Sequence, residues 1–214
     1  MPPGHRIQTQ LVAVIAALVG ATITAGLLGR PASGACSGAR WPVKTLADPG
    51  AAFVDHTATP TTVQQLRTAK PPAVTAKTPR QSHWETQTVS VPVELTNGKL
   101  VHDGDLQLVV HAPGQPAVTM IAELPGATCL QVGTSAADRA ALTAARDEIV
   151  RGCGPFTTSK RPLQGRAVLT GVRFLDIPHK GDNADDNARG AAPDEVEVHP
   201  IMLVAGLQCS AAGA

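Results

Sequence analysis

Short stretches of period-two alternation, a single capped amphipathic segment among them, and Pro- and Gly-rich breaks between them predict a mainly β fold with one helix. The elements run three strands, one helix, two strands. That order is the layout of a small five-stranded OB-like barrel (β-β-β-α-β-β), although an α+β sandwich fits the same order. The barrel domain is expected over residues 85–209. A signal or anchor segment precedes it at 1–35 and a Pro/Thr/Ala-rich arm at 36–84, and a short tail follows at 210–214.

The first strand is read from Val89, Val91, Val93 and Leu95 alternating with Thr88, Ser90, Pro92 and Glu94. Pro92 lacks a ladder donor, which pushes this strand towards an edge or a bulge. Asn97-Gly98 is a tight-turn dipeptide. The chain turns again at His102-Asp103-Gly104, and a second strand covers Asp105–His111. Pro113-Gly114 leads into a third strand, Val118–Leu124. Ser135 three residues before Asp138 has capping-box spacing, and a helix from about Ala136 to Arg151 keeps Leu142, Ala145 and Ile149 on one side. The last two strands are expected at Arg166–Leu175 and from Val196 to about Ala205, with a polar loop between them. In the arm, Pro42, Pro49, Pro60, Pro71, Pro72 and Pro79 exclude long helices and central strands. A short helix at Thr61–Thr68 fits, with Val63 and Leu66 on one face and Pro71 as its stop.

Residues Leu11–Leu28 are apolar or small and carry no charge. Helix-breaking Gly29-Arg30-Pro31 and the small residues Ala32–Ala35 follow, so the start of the chain has the three-part layout of a secretory signal cleaved after Ala35. The run is also just long enough to span a bilayer, which makes a retained anchor the alternative and a membrane the partner in that case. Lipid attachment at Cys36 is a third reading. Each places the remainder outside the cytoplasm. All four cysteines, Cys36, Cys129, Cys153 and Cys209, lie beyond this segment, and their even number predicts two disulfides. Cys129–Cys153 across the helix and Cys36–Cys209 between the chain ends is the favoured pairing, although the first bridge leaves its loop almost no slack.

With 18 Lys+Arg against 17 Asp+Glu, the net charge of +1 lacks the basic surplus of a polyanion binder. Three Phe, two Trp and no Tyr offer little for stacking bases, so nucleic acid is not an expected partner. The sequence contains no G-x-S-x-G, P-loop or dinucleotide fingerprint.

The candidate site residues are polar groups at strand ends. Asp103 and Asp105 flank Gly104, a pattern that makes a turn and could also face a cation. Glu123 ends an apolar strand, where it either faces a barrel mouth as an acid or ligand or simply faces solvent. Asp176, His179, Glu197 and His199 form the strongest set. In an OB-like layout the end of the fourth strand and the start of the fifth are neighbours, and alternation puts Glu197 and His199 on one face. Two imidazoles and two carboxylates could hold zinc or calcium; the plain alternative is a hydrogen-bonded surface pair. The acidic stretch 182–187 fails the EF-hand template, since Asn183 gives no leading Asp and Ala188 stands where Gly is needed.

The blocks Trp41–Pro49 (WPVKTLADP), Thr61–Leu66, Asp103–Val110 (DGDLQLVV), Thr119–Pro125 (TMIAELP), Val172–Asp176 and Ala192–Pro200 together resemble an uncharacterised family of exported bacterial proteins with the same blocks in the same order. The resemblance spans about Trp41 to Val204. It implies an exported β-rich module and assigns no chemistry. Where that family has His-Gly-Gln after the fourth strand, this chain has His179-Lys180-Gly181 and a longer acidic loop. The expected function is a non-catalytic exported module binding an extracellular ligand. The alternative is a metal-dependent hydrolase built on Asp176, His179, Glu197 and His199.

Overall fold

Val89, Val91, Val93 and Leu95 all turn inward from one long strand, because alternate residues of extended chain share a face. A computed structural model describes residues 36–130, 133–177 and 190–211. The Leu11–Leu28 segment, His179 and the 182–187 stretch lie outside the described residues. Among the described residues, no helix is long and apolar enough to cross a membrane.

The described strands are β1 (Asp55–Pro60), β2 (Gln87–Leu100), β3 (Leu106–Ala112), β4 (Gln115–Leu124), β5 (Arg161–Leu175) and β6 (Val196–Ala211). They form a mainly β architecture in one sheet, ordered β1-β2-β3-β4-β6-β5, and β2 pairs in addition with β5. β1–β2 and β4–β6 are parallel, while β2–β3, β3–β4, β5–β6 and β2–β5 are antiparallel. The main core lies on one face, from Leu106, Leu108, Met120, Ala122, Leu169 and Val198 among others. α3 (Ala136–Cys153) packs Leu142, Ala145 and Ile149 inward, and Ser135 caps it by accepting from the Asp138 amide.

Two local expectations change. Asn97-Gly98 makes no turn: both residues stay in β2, paired with Val109 and Leu108, beside a register shift after Leu95. The cross-strand partners on either side outweigh the dipeptide's own preference. Pro92 falls between Ser90, the last residue paired with β1, and Glu94, the first paired with β3, so that side of β2 loses no ladder bond there.

The disulfide pairing is also corrected. Cys36 bonds Cys129 and Cys153 bonds Cys209, with Cα separations of 5.0 and 5.1 Å. Cys153 is the last residue of α3 and meets β6 directly, whereas bridging it to Cys129 would have required the connecting loop to run almost straight along the helix.

The arm is no loose extension. It carries α1 (Trp41–Lys44), a 3-10 turn at Pro49–Phe53, strand β1 and α2 (Val63–Thr68). Thr62 and Gln65 form a full capping box on α2, whose Val63 and Leu66 enter the main core. A second small apolar cluster joins Leu46 and Val54 of the arm to Val172 of β5. The stretch through Leu46 and Val54 thereby covers part of the outer face of the sheet, while α2 packs on the core side.

Candidate functional site: a histidine–carboxylate cluster beneath the arm

Alternation determines which side chains meet here. In β3 and β4 the residues Leu106, Leu108, Ala122 and Leu124 face the main core, so Gln107 and Glu123 face the other way. In β6 Val196 and Val198 take the core side, leaving Glu197 and His199 on the outer face. Ile121 and Ala122 of β4 pair in parallel register with Glu197 and Val198, which sets Glu123 beside His199. Asp105 comes from the turn before β3, anchored by the Gly126 amide donating to its Oδ1 at 3.1 Å.

The arm closes over this face from above. Lys44, the last residue of α1, places Nζ 3.8 Å from both Glu123 Oε2 and Asp103 Oδ2. Arg40 donates to both oxygens of Glu85, at 2.7 and 2.5 Å, and its guanidinium lies 5.0 Å from the Phe174 ring centre. That ring meets His199 edge-on at 5.3 Å. Thr134 Oγ1 donates to the Thr45 carbonyl, and the Cys36–Cys129 bridge ties down the start of the arm. His199 and Asp105 are completely buried, and Glu123 and Glu197 are 3% exposed.

His199 is the hub. Its Nδ1 stands 3.0 Å from Glu123 Oε2 and 3.8 Å from Glu197 Oε2; its Nε2 stands 3.3 Å from Asp105 Oδ2. None of these contacts is aligned along a ring N–H, so both ring nitrogens and the three facing oxygens lack a directed hydrogen bond. Gln107 Nε2 donates to the other Glu123 oxygen at 2.9 Å.

Electrostatics divides the carboxyls. Burial, reinforced by Glu123, pushes the Glu197 carboxyl up to about 8. Burial also raises Asp105 against the opposing pull of His199. For Glu123 burial is outweighed by His199, Lys44 and Gln107, which hold it down at about 2. Burial alone would lower His199 and Lys44, but the surrounding carboxylates leave both raised. The cluster therefore holds labile protons on Glu197 and His199 next to an ionised Glu123.

The predicted residues divide accordingly. Asp105, Glu123, Glu197 and His199 converge. Asp103 makes the predicted turn, with Gly104 at φ 94°, and is buried beside Lys44. Asp176 is half-buried at the end of β5, its Oδ1 accepting from the Ile177 amide. The solvent-facing reading of Glu123 and the surface-pair reading of His199 are overturned by their burial. Lys44 and Gln107 were not foreseen. Gln107 could have been found from alternation along its own strand, where it faces away from Leu106 and Leu108, and it is the cross-strand partner of Glu123. Lys44 had no local signal. With the geometry established, comparison with known proteins adds nothing: no protein-family model, no curated protein and no solved structure matches this chain.

Proposed function

We propose that this protein is an exported, non-catalytic binding module on an OB-like barrel, taking a small polar extracytoplasmic ligand at its surface. Several observations support the parts of that reading. The circuit β2-β3-β4-β6-β5, with β5 pairing back onto β2, follows the connectivity of an OB barrel, and α3 lies between its third and fourth strands. Two formed disulfides suit an oxidising compartment, and they agree with the export layout of residues 1–35 and with the resemblance to exported bacterial proteins.

The observation that carries the binding role is a groove of about 600 Å³ between β2, β3, β5 and β6, a volume in the usual range for small-molecule sites. Glu94, His111, Gln164, Arg166 and Gln208 line it. Glu94 sits opposite Arg166 in register and its carboxylate lies 3.5 Å from His111 Nδ1. Both signs of charge thus face one groove, which suits zwitterions and short peptides. The hydrolase reading needs an ion open to water, and the burial of Glu197 and His199 weighs against it.

A thermal-shift panel of amino acids, di- and tripeptides, sugars and carboxylates tests the reading. One class is expected to raise the melting temperature of the protein and to lose that effect in Arg166→Glu and His111→Ala. If no compound stabilises the protein, or the shift survives both substitutions, the groove is not the site.

A further inference from the structure

The groove does not account for the cluster under the arm. A histidine with no exposed surface and with neither ring nitrogen in a directed hydrogen bond leaves strong polar groups unsatisfied in the interior, which is costly unless something else completes them. The carboxylate oxygens Asp105 Oδ2, Glu123 Oε2 and Glu197 Oε2 are in the same condition and face the same ring.

We propose that Glu123, Glu197 and His199 Nδ1 form a buried site for a divalent first-row cation of the zinc and manganese class, with Asp105 orienting the ring from Nε2. The inference does not depend on the surface-ligand reading, and either can fail alone.

The spacing fits. In a tetrahedral site with bonds of about 2.0 Å, neighbouring ligand atoms stand about 3.3 Å apart. The Nδ1–Oε2 separations of 3.0 and 3.8 Å bracket that edge. The group whose ligand atoms all lie within 4.8 Å of one another is Asp105, Glu123 and His199, and Glu197 joins it through its 3.8 Å approach to Nδ1. A carboxylate on the far nitrogen of a metal-binding imidazole fixes the tautomer that leaves the near nitrogen free to ligate, and Asp105 occupies that place. One imidazole with carboxylates and no thiolate is a donor set for zinc or manganese and not for a soft ion.

Charge points the same way. Asp103 pairs with Lys44, and Glu123, Asp176, Glu197 and Asp105 all act on its ammonium through space. Lys44, the Arg146 guanidinium near Asp105 and the protonated His199 ring itself are the cations facing these carboxyls among the described residues, since Arg40 is committed to Glu85. Lys44 Nζ stays 3.8 Å from Glu123 Oε2, beyond hydrogen-bond reach, so it lowers the local charge without satisfying that oxygen. With the arm stapled over the face by Cys36–Cys129, the ion would be taken up as the protein folds.

The test is metal content by mass spectrometry on the full protein with both disulfides intact, as isolated and after refolding with excess Zn²⁺, Mn²⁺ or Ca²⁺. Zn²⁺ or Mn²⁺ is expected at about one ion per chain, surviving EDTA until the protein is unfolded. Glu123→Gln and Glu197→Gln keep the side-chain shape but remove a charged ligand oxygen, and each should weaken retention by at least the roughly 10-fold that loss of an outer-shell partner costs. Co²⁺ loaded in their place should show visible bands of a low-coordinate N/O site. His199→Ala is the direct variant, and the isosteric pair covers the case in which it fails to fold. Wild-type protein refolded with the ions yet holding under about a tenth of an equivalent would overturn the proposal. Retention unchanged in both Gln variants would overturn it as well, by placing the ion elsewhere.

Discussion

At the scale of single residues, the cluster shows how far burial changes the role of an ordinary side chain. Glu123 and Glu197 are the same residue type a few ångströms apart around one imidazole, yet one is held ionised and the other protonated. The difference comes from His199, Lys44 and Gln107, which together pull Glu123 down, whereas the ionised Glu123 pushes Glu197 further up. This division sets the pH dependence of the metal-free protein. From about pH 4.5 to 8 the folded chain keeps the Glu197 proton that the unfolded chain has lost, so stability falls as pH rises across that window. His199, raised above 6.5, adds a loss of the same sign from that pH upward. Glu123 has the opposite sign: its contribution is complete above about 4.5 and disappears as pH drops towards 2. Melting temperatures taken in EDTA should therefore peak near about pH 5 and fall on both sides. A maximum at or above pH 8 would show that the cluster does not titrate in this way.

At the scale of elements, close approach of backbones positions the site. β5 and β6 pack so tightly at Gly171 that an added Cβ would stand 2.4 Å from the Pro200 carbonyl oxygen and 2.7 Å from Val198 Cγ1. The obstacle on one side is backbone, which cannot rotate away. Gly171→Ala should therefore destabilise the fold by about 1–3 kcal/mol, measured by urea denaturation, through forced separation of the two strands. A cost near zero would mean that β6 shifts freely, and the seating of His199 would then be loose. The strand and helix signals were legible because they depend on local alternation and capping: Val89 to Leu95, Ser135 with Asp138, and Val63 with Leu66 in α2 all behave as their patterns require. Strand β1 was not legible. Asp55–Pro60 is exposed and polar, without an alternating face, and pairs with β2 only because the arm folds back. The Asn97-Gly98 turn signal failed for the converse reason, that long-range pairing on both sides of β2 overrode it.

For the whole molecule, the arm is structural. Arg40 and Glu85 form a sealed pair, with Leu175 donating its amide to Glu85 and accepting from Arg40. Breaking such a pair would leave an uncompensated charge in the interior. Both tryptophans, Trp41 and Trp84, belong to the 36–84 segment, whereas far-UV circular dichroism is dominated by the sheet and α3. If arm and sheet share one cooperative core, fluorescence and dichroism should report a single urea midpoint. A fluorescence transition well ahead of the dichroism would mark the arm as a separately opening cover.

The amino-acid sequence determined the local matters: the uncharged apolar run Leu11–Leu28, the β-rich texture, one capped helix, the even set of cysteines, and Glu197 with His199 on one face. These depend on neighbours within a few residues, where periodicity and capping act. The tertiary structure decided which cysteines meet, that the proline-rich arm seals the sheet, and that Lys44, Asp105 and Glu123 join His199. Those outcomes depend on pairings tens of residues apart, because two side chains share a site only once their strands are in register and something covers them.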